Sequence, residues 1–400
     1  MYFTLTRQSV ARYAAGVLLA GAALQSHADA VIDWNIKSGE LILAAKLGTP
    51  PAVRTMAIVQ TAVHDGVAAV AGNATAIDAA VAAAHRVALG RLLPAQQAAI
   101  DAAYLAALAK LPDGPARQQG IAAGEKAAAA VLAERANDGA AAPESYRPHT
   151  TPGAYVPTAT PAVTTWAQRK PWLMTSPSQF RPGPPPALSS ELWTRDYREI
   201  AELGGKASAK RTPVQGEIAK FWEFSQPSIY EGVVRSVAGA PGRSPLQNAR
   251  LFAAVAQAMD DALIAVFDAK YHYNLWRPVT AIRNADLDGN DATARDAGWS
   301  PLIDNPMHPE YPSGHSILAG AVATILRAEV GAKATPLLAT SSPSAKGATR
   351  QWTDLDAFVQ EVSAARIYGG LHYRFSTRVA EAMGAQIGAL AVARHLTSPQ

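Results

Sequence analysis

Apolar residues recur at helical spacing along most of the 400-residue chain. Residues 51–137 are rich in alanine, as in AAHRVALGRLLPAQQAAIDAAYLAALAKL, and they lack the alternating β-branched runs that would mark strands. The same spacing resumes near residue 188 and continues to the end, with breaks near 227, at 238–245 and at 283–312. The pattern therefore predicts an all-α protein built from helical bundles.

A proline-rich segment separates the two helical regions. Residues 143–186 contain eleven prolines, which is too many for a helix interior or for the centre of a sheet. A flexible linker would be polar, whereas this segment carries Trp166, Trp172 and Phe180, so we expect an irregular strap that lies ordered against the helices. The predicted organisation is one compact unit with a helical half at 31–142, the strap at 143–187 and a second helical half at 188–400.

The first thirty residues have the three parts of a secretory signal peptide. Arg7 and Arg12 precede an apolar run at residues 14–24, and Ala28-Asp29-Ala30 offers small residues for cleavage. We therefore expect residues 1–30 to be a signal peptide, with the mature protein exported to the periplasm or the medium. The alternative is an uncleaved amino-terminal anchor. No later apolar run reaches the length of about 20 residues that a membrane span needs.

Charge and cysteine content exclude several classes of function. The formal net charge is only +4, too small to favour nucleic acid or an anionic membrane as a partner. The chain has no cysteine, so it forms no disulfide and has neither a thiolate nucleophile nor a thiolate zinc site. The surface permits a homodimer, but no pattern specifies one.

Three patches after residue 269 carry candidate chemistry. In the first, KYHYNLWRP, Lys270 and Arg277 lie seven positions apart, and Pro278 is expected to end a helix that begins near Ser244. Two cations would then meet at a helix end. The alternative is structural, because a helix dipole favours cations at its carboxyl end without any ligand.

The second patch is HPEYPSGHS, directly before the apolar run SILAGAVATIL. Ser313, Gly314 and His315 should stand at a helix amino terminus, where backbone N–H groups favour an anion. The pKa of a histidine suits proton transfer near neutral pH, so His315 is a candidate acid or base. A capped helix start without a ligand would give the same local sequence.

The third patch is ARIYGGLHYRFSTRVAEAMG, in which Arg366 precedes His372 by six positions across a Gly-Gly break. Arg366 is expected to end one helix and His372 to precede the next, so that the two side chains can share one site. Ser376 is a natural N-cap for the second helix.

Together the patches resemble the three-part signature of the vanadium haloperoxidase and type 2 phosphatidic acid phosphatase superfamily. The matches are Lys270 with Arg277-Pro278, the run Pro312 to His315, and Arg366 with His372. The resemblance covers roughly residues 245–385, and the strap and the helical first half are similar to the longer bacterial haloperoxidase-type members.

The resemblance implies one site for a tetrahedral oxyanion, either vanadate as the cofactor of a haloperoxidase or the phosphate of a substrate. The implied oxyanion-binding residues are Lys270, Arg277, Ser313, Gly314, Arg366 and His372. In the family the histidine matched by His372 ligates vanadium or becomes a phosphohistidine, and the histidine matched by His315 is the general acid–base. Such a set is matched in charge to a dianion.

One position departs from the family pattern. The family usually has an aspartate four residues after its last histidine, where it would hold the second imidazole nitrogen, but this chain has Ser376. Ser376 is therefore either a neutral hydrogen-bond partner of His372 or only the N-cap of the next helix.

The choice of reaction depends on residues beside the motifs. Trp276 before Arg277 resembles haloperoxidases, and His308 matches a position that is histidine in bromoperoxidase-like members and phenylalanine in chloroperoxidase-like ones; His308 could also be a plain loop residue. We therefore expect a haloperoxidase-like enzyme that uses peroxide and a halide. The alternatives are a secreted phosphatase acting on phosphomonoesters without a cofactor, and a phosphate-binding relative without turnover.

Overall fold

The computed structural model describes residues 29–331 and 333–397, which form thirteen α-helices and one antiparallel hairpin. The helices of the first half are α1 (Ala30–Ala44), α2 (Thr49–Ala68), α3 (Ala74–Leu92), α4 (Gln97–Leu108) and α5 (Pro115–Glu134). Those after the strap are α6 (Glu191–Leu203), α7 (Pro213–Phe221), α8 (Pro227–Ala238), α9 (Pro245–Tyr273), α10 (Pro278–Arg283), α11 (Gly314–Val330), α12 (Leu355–Tyr368) and α13 (Arg374–Ala391). The mostly helical architecture confirms the predicted fold class.

The predicted signal peptide falls almost wholly outside the described residues. Its last two residues are described, and there Asp29 caps α1 by accepting a hydrogen bond from the Val31 N–H at 2.9 Å. The second carboxylate oxygen of Asp29 accepts from Asn248 at 2.5 Å. No helix among the described residues is both long enough and apolar enough to cross a membrane.

The alanine-rich first half packs through unusually close helix contacts. At Gly120 and Gly124 of α5, an added Cβ would lie 2.1 and 2.3 Å from the carbonyl oxygens of Ala76 and Ala80 in α3. Only small side chains let two helix backbones approach this closely. The composition of this region therefore reflects helix packing.

The longest helix, α9, forms the centre of the molecule. Most of its 29 residues are buried, and it packs against α2 from the first half and against α11 and α13 from the second. A helix that is apolar on all sides must be enclosed by other elements. The last turn of α9 reaches the candidate site.

The strap is fastened to α9 by buried charges. Arg169 pairs with Asp260 at 2.5 Å and with Asp138 at 2.8 Å. The neighbouring Asp261 accepts three backbone N–H groups of residues 172–174 at 2.7 to 2.9 Å. Arg169 is paired and hydrogen-bonded, and three backbone donors hold Asp261, although burial still raises the pKa of that carboxyl to about 6. The strap therefore keeps a fixed course.

Two details of the predicted helices were wrong. A short hairpin, β1 (Leu338–Ser342) paired with β2 (Ala348–Trp352), interrupts the second half, since Pro343 and Gly347 disfavour helix and this segment is rich in Thr and Ser. In addition, α9 ends at Tyr273, before the expected stop at Pro278. Asn274 takes a left-handed conformation with φ of 51°, which ends the helix, and Pro278 instead begins α10.

Candidate active site

The residues of the three patches lie at helix ends that meet in one place. Lys270 is in the last turn of α9, Arg277 is the N-cap of α10, and Arg366 is in the last turn of α12. Ser313 caps α11, and His372 lies in the turn between α12 and α13. Because helix ends carry unpaired backbone N–H and C=O groups, the meeting point is rich in polar backbone atoms.

Lys270 is fully buried, and backbone carbonyls hold its ammonium group. Its Nζ donates to the carbonyl oxygens of Pro309 at 3.0 Å and Glu310 at 2.8 Å. Burial, reinforced by the nearby Arg277 charge, lowers the pKa of Lys270 well below its usual value. A bound anion would reverse this effect by favouring the charged ammonium.

Arg277 is buried as well, and backbone carbonyls fix its guanidinium. Nε donates to the carbonyl of His308 at 2.8 Å, and Nη1 donates to that of Leu371 at 3.0 Å. Burial lowers the pKa of Arg277 to about 10. The group is still a cation near neutral pH, and its donors join the second patch to the third.

Arg366 has spare donor capacity. Nη1 donates to the carbonyl of Trp222 at 2.7 Å, whereas its buried Nε has no partner, and burial lowers its pKa to about 10. Within the described residues, neither Lys270 nor either arginine forms a salt bridge with a carboxylate. The Glu310 carboxylate attracts Lys270 and Arg277 without pairing with either, and buried cations without a paired carboxylate are costly unless an anion binds between them. These residues fit a tetrahedral oxyanion.

His372 is held by a carboxylate that the sequence analysis missed. Its Nδ1 lies 2.8 Å from Oε1 of Glu310, and its Nε2 lies 3.3 Å from Nη1 of Arg277. A guanidinium can only donate, so Nε2 must accept and Nδ1 must carry the proton that is donated to Glu310. The arrangement leaves the lone pair on Nε2.

The buried Glu310 had one visible signal in the sequence, a carboxylate inside HPEYPSGH. Nothing in the spacing predicts its contact with His372, which is 62 positions away. Burial raises the pKa of Glu310 to about 7, although Lys270 and Arg277 oppose the shift. Its Oε1 also accepts the backbone N–H of Tyr373 at 3.0 Å, which fixes the carboxylate.

Both interpretations of Ser376 were wrong. The N-cap of α13 is Tyr373, so Ser376 lies inside the first turn, fully buried, and it does not contact the second nitrogen of His372. Its hydroxyl lies beside Glu310 and lowers the pKa of that carboxyl. Neither Oγ of Ser376 nor Oε2 of Glu310 makes a hydrogen bond of standard geometry.

The start of α11 has the form expected of an anion site. Ser313 Oγ accepts from the N–H of Ser316 at 3.4 Å and from its hydroxyl at 3.0 Å, so the Ser313 proton stays available for a ligand. A Cβ added at Gly314 would meet nothing within 4 Å, which leaves open space beside the backbone. His315 Nε2 is buried without a partner, and burial lowers the pKa of this histidine well below its usual value.

The two flanking candidates occupy different places. His308 Nδ1 accepts a hydrogen bond from Nη2 of Arg277 at 2.9 Å, and the ring packs edge-on against Phe267 at 5.1 Å. Trp276 instead packs 6.5 Å from Trp193 in a separate aromatic cluster. His308 therefore lies at the edge of the site, whereas Trp276 packs in the aromatic cluster beside it.

A cavity of about 320 Å³ joins these groups. Six of the predicted residues line it: Lys270, His308, Gly314, His315, Arg366 and His372. Ser313 and Arg277 lie next to this lining. Ser313 caps the helix that begins at Gly314, and Arg277 contacts His372.

The comparisons with known proteins point in one direction. Residues 250–398 match a family model described as the VCPO second helical-bundle domain. The vanadium chloroperoxidase of Curvularia inaequalis is 30% identical in an alignment of 184 positions that covers 38% of this chain. The match spans only 30% of the length of that enzyme.

Solved structures share the fold across almost the whole chain. A bacterial vanadium-dependent iodoperoxidase superposes with a TM-score of 0.76 at 23% identity, covering 91% of this chain and 96% of the other. A bacterial vanadium-dependent chloroperoxidase in its apo form gives 0.72 at 20% identity, covering 88% and 95%. At such identities the structures establish the fold alone. Residues 250–398, which carry the three motifs, are thus similar to the second helical-bundle domain of vanadium haloperoxidases, and the fold of the whole chain is similar to that of the bacterial enzymes.

Proposed function

We propose that this protein is a vanadium-dependent haloperoxidase that oxidises a halide with hydrogen peroxide. The proteins it resembles in sequence and fold are named chloroperoxidases and an iodoperoxidase. The observation that carries the proposal is the chain of contacts from Arg277 through His372 to Glu310. It presents the Nε2 lone pair of His372 beside buried cations that have no salt-bridge partner.

The residues present fit vanadate. When bound, vanadate supplies a metal centre that activates peroxide toward a halide. Its negative oxygens would be held by Lys270, Arg277 and Arg366 together with the Ser313 hydroxyl and the Gly314 amide. Nε2 of His372 is the nitrogen that would ligate vanadium, with Glu310 raising its basicity through the shared proton.

His315 is the proposed proton carrier. Its Nε2 is buried and unpartnered, and the neighbouring cations lower its pKa further, so the imidazole is neutral at physiological pH. A neutral imidazole can take a proton from peroxide at Nε2 and return it to the departing oxygen. His308, turned toward Arg277, is assigned to holding that guanidinium.

The second candidate is hydrolysis of phosphomonoesters through a phosphohistidine. One observation favours it: the lone pair on Nε2 of His372 is also what a nucleophile at phosphorus needs. A relative that binds phosphate without turnover is the third candidate.

One experiment separates the three. The purified apoprotein is assayed for oxidation of bromide and iodide by peroxide, with and without vanadate, and for hydrolysis of a phosphomonoester panel. We expect oxidation that requires vanadate, is abolished by His372→Ala and is unchanged in the control His64→Ala. Ester hydrolysis without any halide oxidation would overturn the proposal in favour of the phosphatase, and phosphate binding without either reaction would favour the third candidate.

A further inference from the structure

A row of hydrogen-bonded side chains leads away from the oxyanion site. Ser316 Oγ lies 3.0 Å from Oγ of Ser313, and Ser363 Oγ lies 3.0 Å from Oγ of Ser316. Ser363 Oγ also forms a hydrogen bond with Oε1 of Glu381. These four side chains form a polar chain across α11, α12 and α13. The polar chain joins the cap of α11 to a carboxylate outside the site.

The two ends of the polar chain differ in their access to solvent. Ser313 and Ser316 are fully buried, and Ser363 is 4% exposed. Beside them α11 and α13 are in close contact, since a Cβ added at Gly320 would lie 2.5 Å from the carbonyl oxygen of Glu381. The Glu381 side chain is only half-buried, and its second oxygen forms no hydrogen bond within the part of the chain that the structure describes. Solvent therefore reaches the carboxylate end.

The protons of the polar chain cannot satisfy every contact at once. A serine hydroxyl carries one proton, yet Ser363 Oγ contacts two acceptors, the hydroxyl of Ser316 and the carboxylate of Glu381. An ionised carboxylate can only accept, so Ser363 must then donate to Glu381. Ser316 must in turn donate to Ser363, and Ser313 must donate to Ser316. The Ser313 proton is then directed away from the oxyanion site.

A proton on Glu381 reverses every donor in the polar chain. The protonated carboxyl donates to Ser363, Ser363 donates to Ser316, and Ser316 donates to Ser313. The proton of Ser313 is then free to be donated to an oxyanion. The state of Glu381 therefore decides, across three hydrogen bonds, whether Ser313 is a donor or only an acceptor at the site.

We propose that the polar chain delivers a proton from solvent to the oxyanion site, with Glu381 as its entry. The inference rests on the proposed haloperoxidase activity for the need of a proton. Oxidation of bromide consumes one, since bromide, hydrogen peroxide and a proton give hypobromous acid and water. In its proposed role, His315 returns a proton that it has taken from peroxide. The consumed proton must therefore come from another source.

The transfer moves one proton and leaves the polar chain unchanged. Glu381 takes a proton from water and gives it to Oγ of Ser363, which passes its own proton to Ser316. Ser316 passes its own proton to Ser313, and Ser313 gives its own to an oxygen of the bound oxyanion. At each step one O–H bond forms as another breaks. Rotation of the hydroxyls then restores the first arrangement, with Glu381 ionised.

The direction of the donors is tested by anion binding without turnover. Sulfate is titrated by calorimetry into the protein without vanadate or peroxide at pH 8, where free carboxyl groups are ionised. Ser316→Ala removes the acceptor of the Ser313 proton, so sulfate should bind about tenfold more tightly through one hydrogen bond to a charged group. Ser363→Ala frees Ser316 to donate to Ser313 and should have the same effect. A purely structural chain would lose sulfate affinity when it is broken.

Two further variants serve as controls for the titration. Ser38→Ala is the same substitution at another fully buried helical serine, outside the polar chain, and it should leave sulfate affinity unchanged. Ser363→Thr keeps a hydroxyl and should retain the wild-type affinity. Lower or unchanged sulfate affinity in both Ser316→Ala and Ser363→Ala would overturn the inference whether or not the protein oxidises bromide.

Turnover tests the delivery of the proton. With vanadate, peroxide and bromide, Ser316→Ala and Glu381→Gln should each lower kcat by about 100-fold, the lower end of what a positioned proton donor contributes. Ser38→Ala should keep the wild-type kcat. A wild-type kcat in both polar-chain variants would overturn proton delivery and leave the proposed function standing. Absence of bromide oxidation in the wild type would reject the proposed function, and the sulfate titration would still decide whether the polar chain controls Ser313.

Discussion

Glu310 holds the second nitrogen of His372, the task that the family pattern assigns to an aspartate four residues after the histidine. The carboxylate reaches the imidazole from the loop before α11 instead of from α13. Glu310 belongs to the second patch and His372 to the third. The charge on the imidazole therefore depends on how these two patches pack against each other.

Replacing the carboxylate should weaken the site without dismantling it. Glu310→Gln keeps the shape and an acceptor oxygen but loses the charge, so vanadate affinity and turnover should fall about 10- to 100-fold. The pH–rate profile should also lose a group that titrates near pH 7. Glu329→Gln, which removes a buried carboxylate paired with Arg243 elsewhere, is the control. Equal vanadate affinity in both variants would contradict the assignment.

Ser376 gives the opposite test. Ser376→Asp restores the residue usual in the family but places a second carboxyl beside the buried Glu310. Two buried like charges repel, so one carboxyl must stay protonated, and the variant should unfold more easily, by about 1 to 3 kcal/mol. The double variant with Glu310→Gln should recover most of that stability, as urea unfolding would measure. A Ser376→Asp variant as stable as the wild type would show that Glu310 and Ser376 do not interact.

At the scale of elements, the contact between α1 and α8 contains a buried acid outside the site. Glu231 is fully buried, accepts from Asn35 at 3.2 Å and has a pKa raised by burial to about 7. The folded state therefore holds a proton that the unfolded state releases above its pKa of about 4.5. This acid makes the protein less stable as pH rises from about 4.5 to 7.

Glu231→Gln should remove that pH dependence. Relative to the wild type, the variant should gain stability progressively across this window, reaching about 3 kcal/mol above pH 7. Chemical unfolding of both proteins at pH 5 and pH 8 measures the difference. A constant difference between the two proteins at both pH values would contradict a raised pKa.

The elements also show what the sequence could predict. The helices could be predicted because the spacing of apolar residues within a helix involves only positions a few residues apart. The start of α9 at Ser244 follows from its capping residues. The hairpin at residues 338–352 was missed because its strands are short, five residues each. The partnership of His372 with Glu310 was missed because it depends on tertiary packing, which local patterns do not encode.

At the scale of the whole molecule, the site joins the ends of α9, α10, α11 and α12. Three buried cations in it repel one another, and although the Glu310 carboxylate attracts Lys270 and Arg277, it pairs with neither, so the cations oppose folding until an anion binds. An oxyanion should therefore stabilise the entire fold, since it binds only when all four ends are in place. At a concentration one hundred times its Kd, this linkage amounts to about 2.7 kcal/mol.

Sulfate tests this linkage, because it is tetrahedral and does not titrate near neutral pH. Sulfate should raise the Tm, and more strongly at pH 6 than at pH 8. Burial lowers the pKa of His315, and a bound anion would raise that pKa again. Anion binding therefore takes up a proton, which is favoured at the lower pH. His315→Gln should still respond to sulfate, but with a weaker dependence on pH. A Tm that does not respond to sulfate at either pH would argue against the oxyanion site.

Met307 sets a limit on the working life of such an enzyme. It stands at the cavity wall with 45% of its surface exposed, whereas the other methionines that the structure describes are buried, and the chain has no cysteine. Hypobromous acid formed at the proposed site would meet this thioether first and convert it to a sulfoxide, releasing bromide and a proton. The added oxygen would make part of the cavity lining more polar.

Damage should therefore begin at the cavity lining. Peptide mass spectrometry after turnover should find Met307 oxidised before any other methionine, with activity declining in step. Met307→Leu should retain activity through more turnovers. Oxidation spread evenly over all methionines would instead indicate that the oxidant diffuses away before it reacts with the protein.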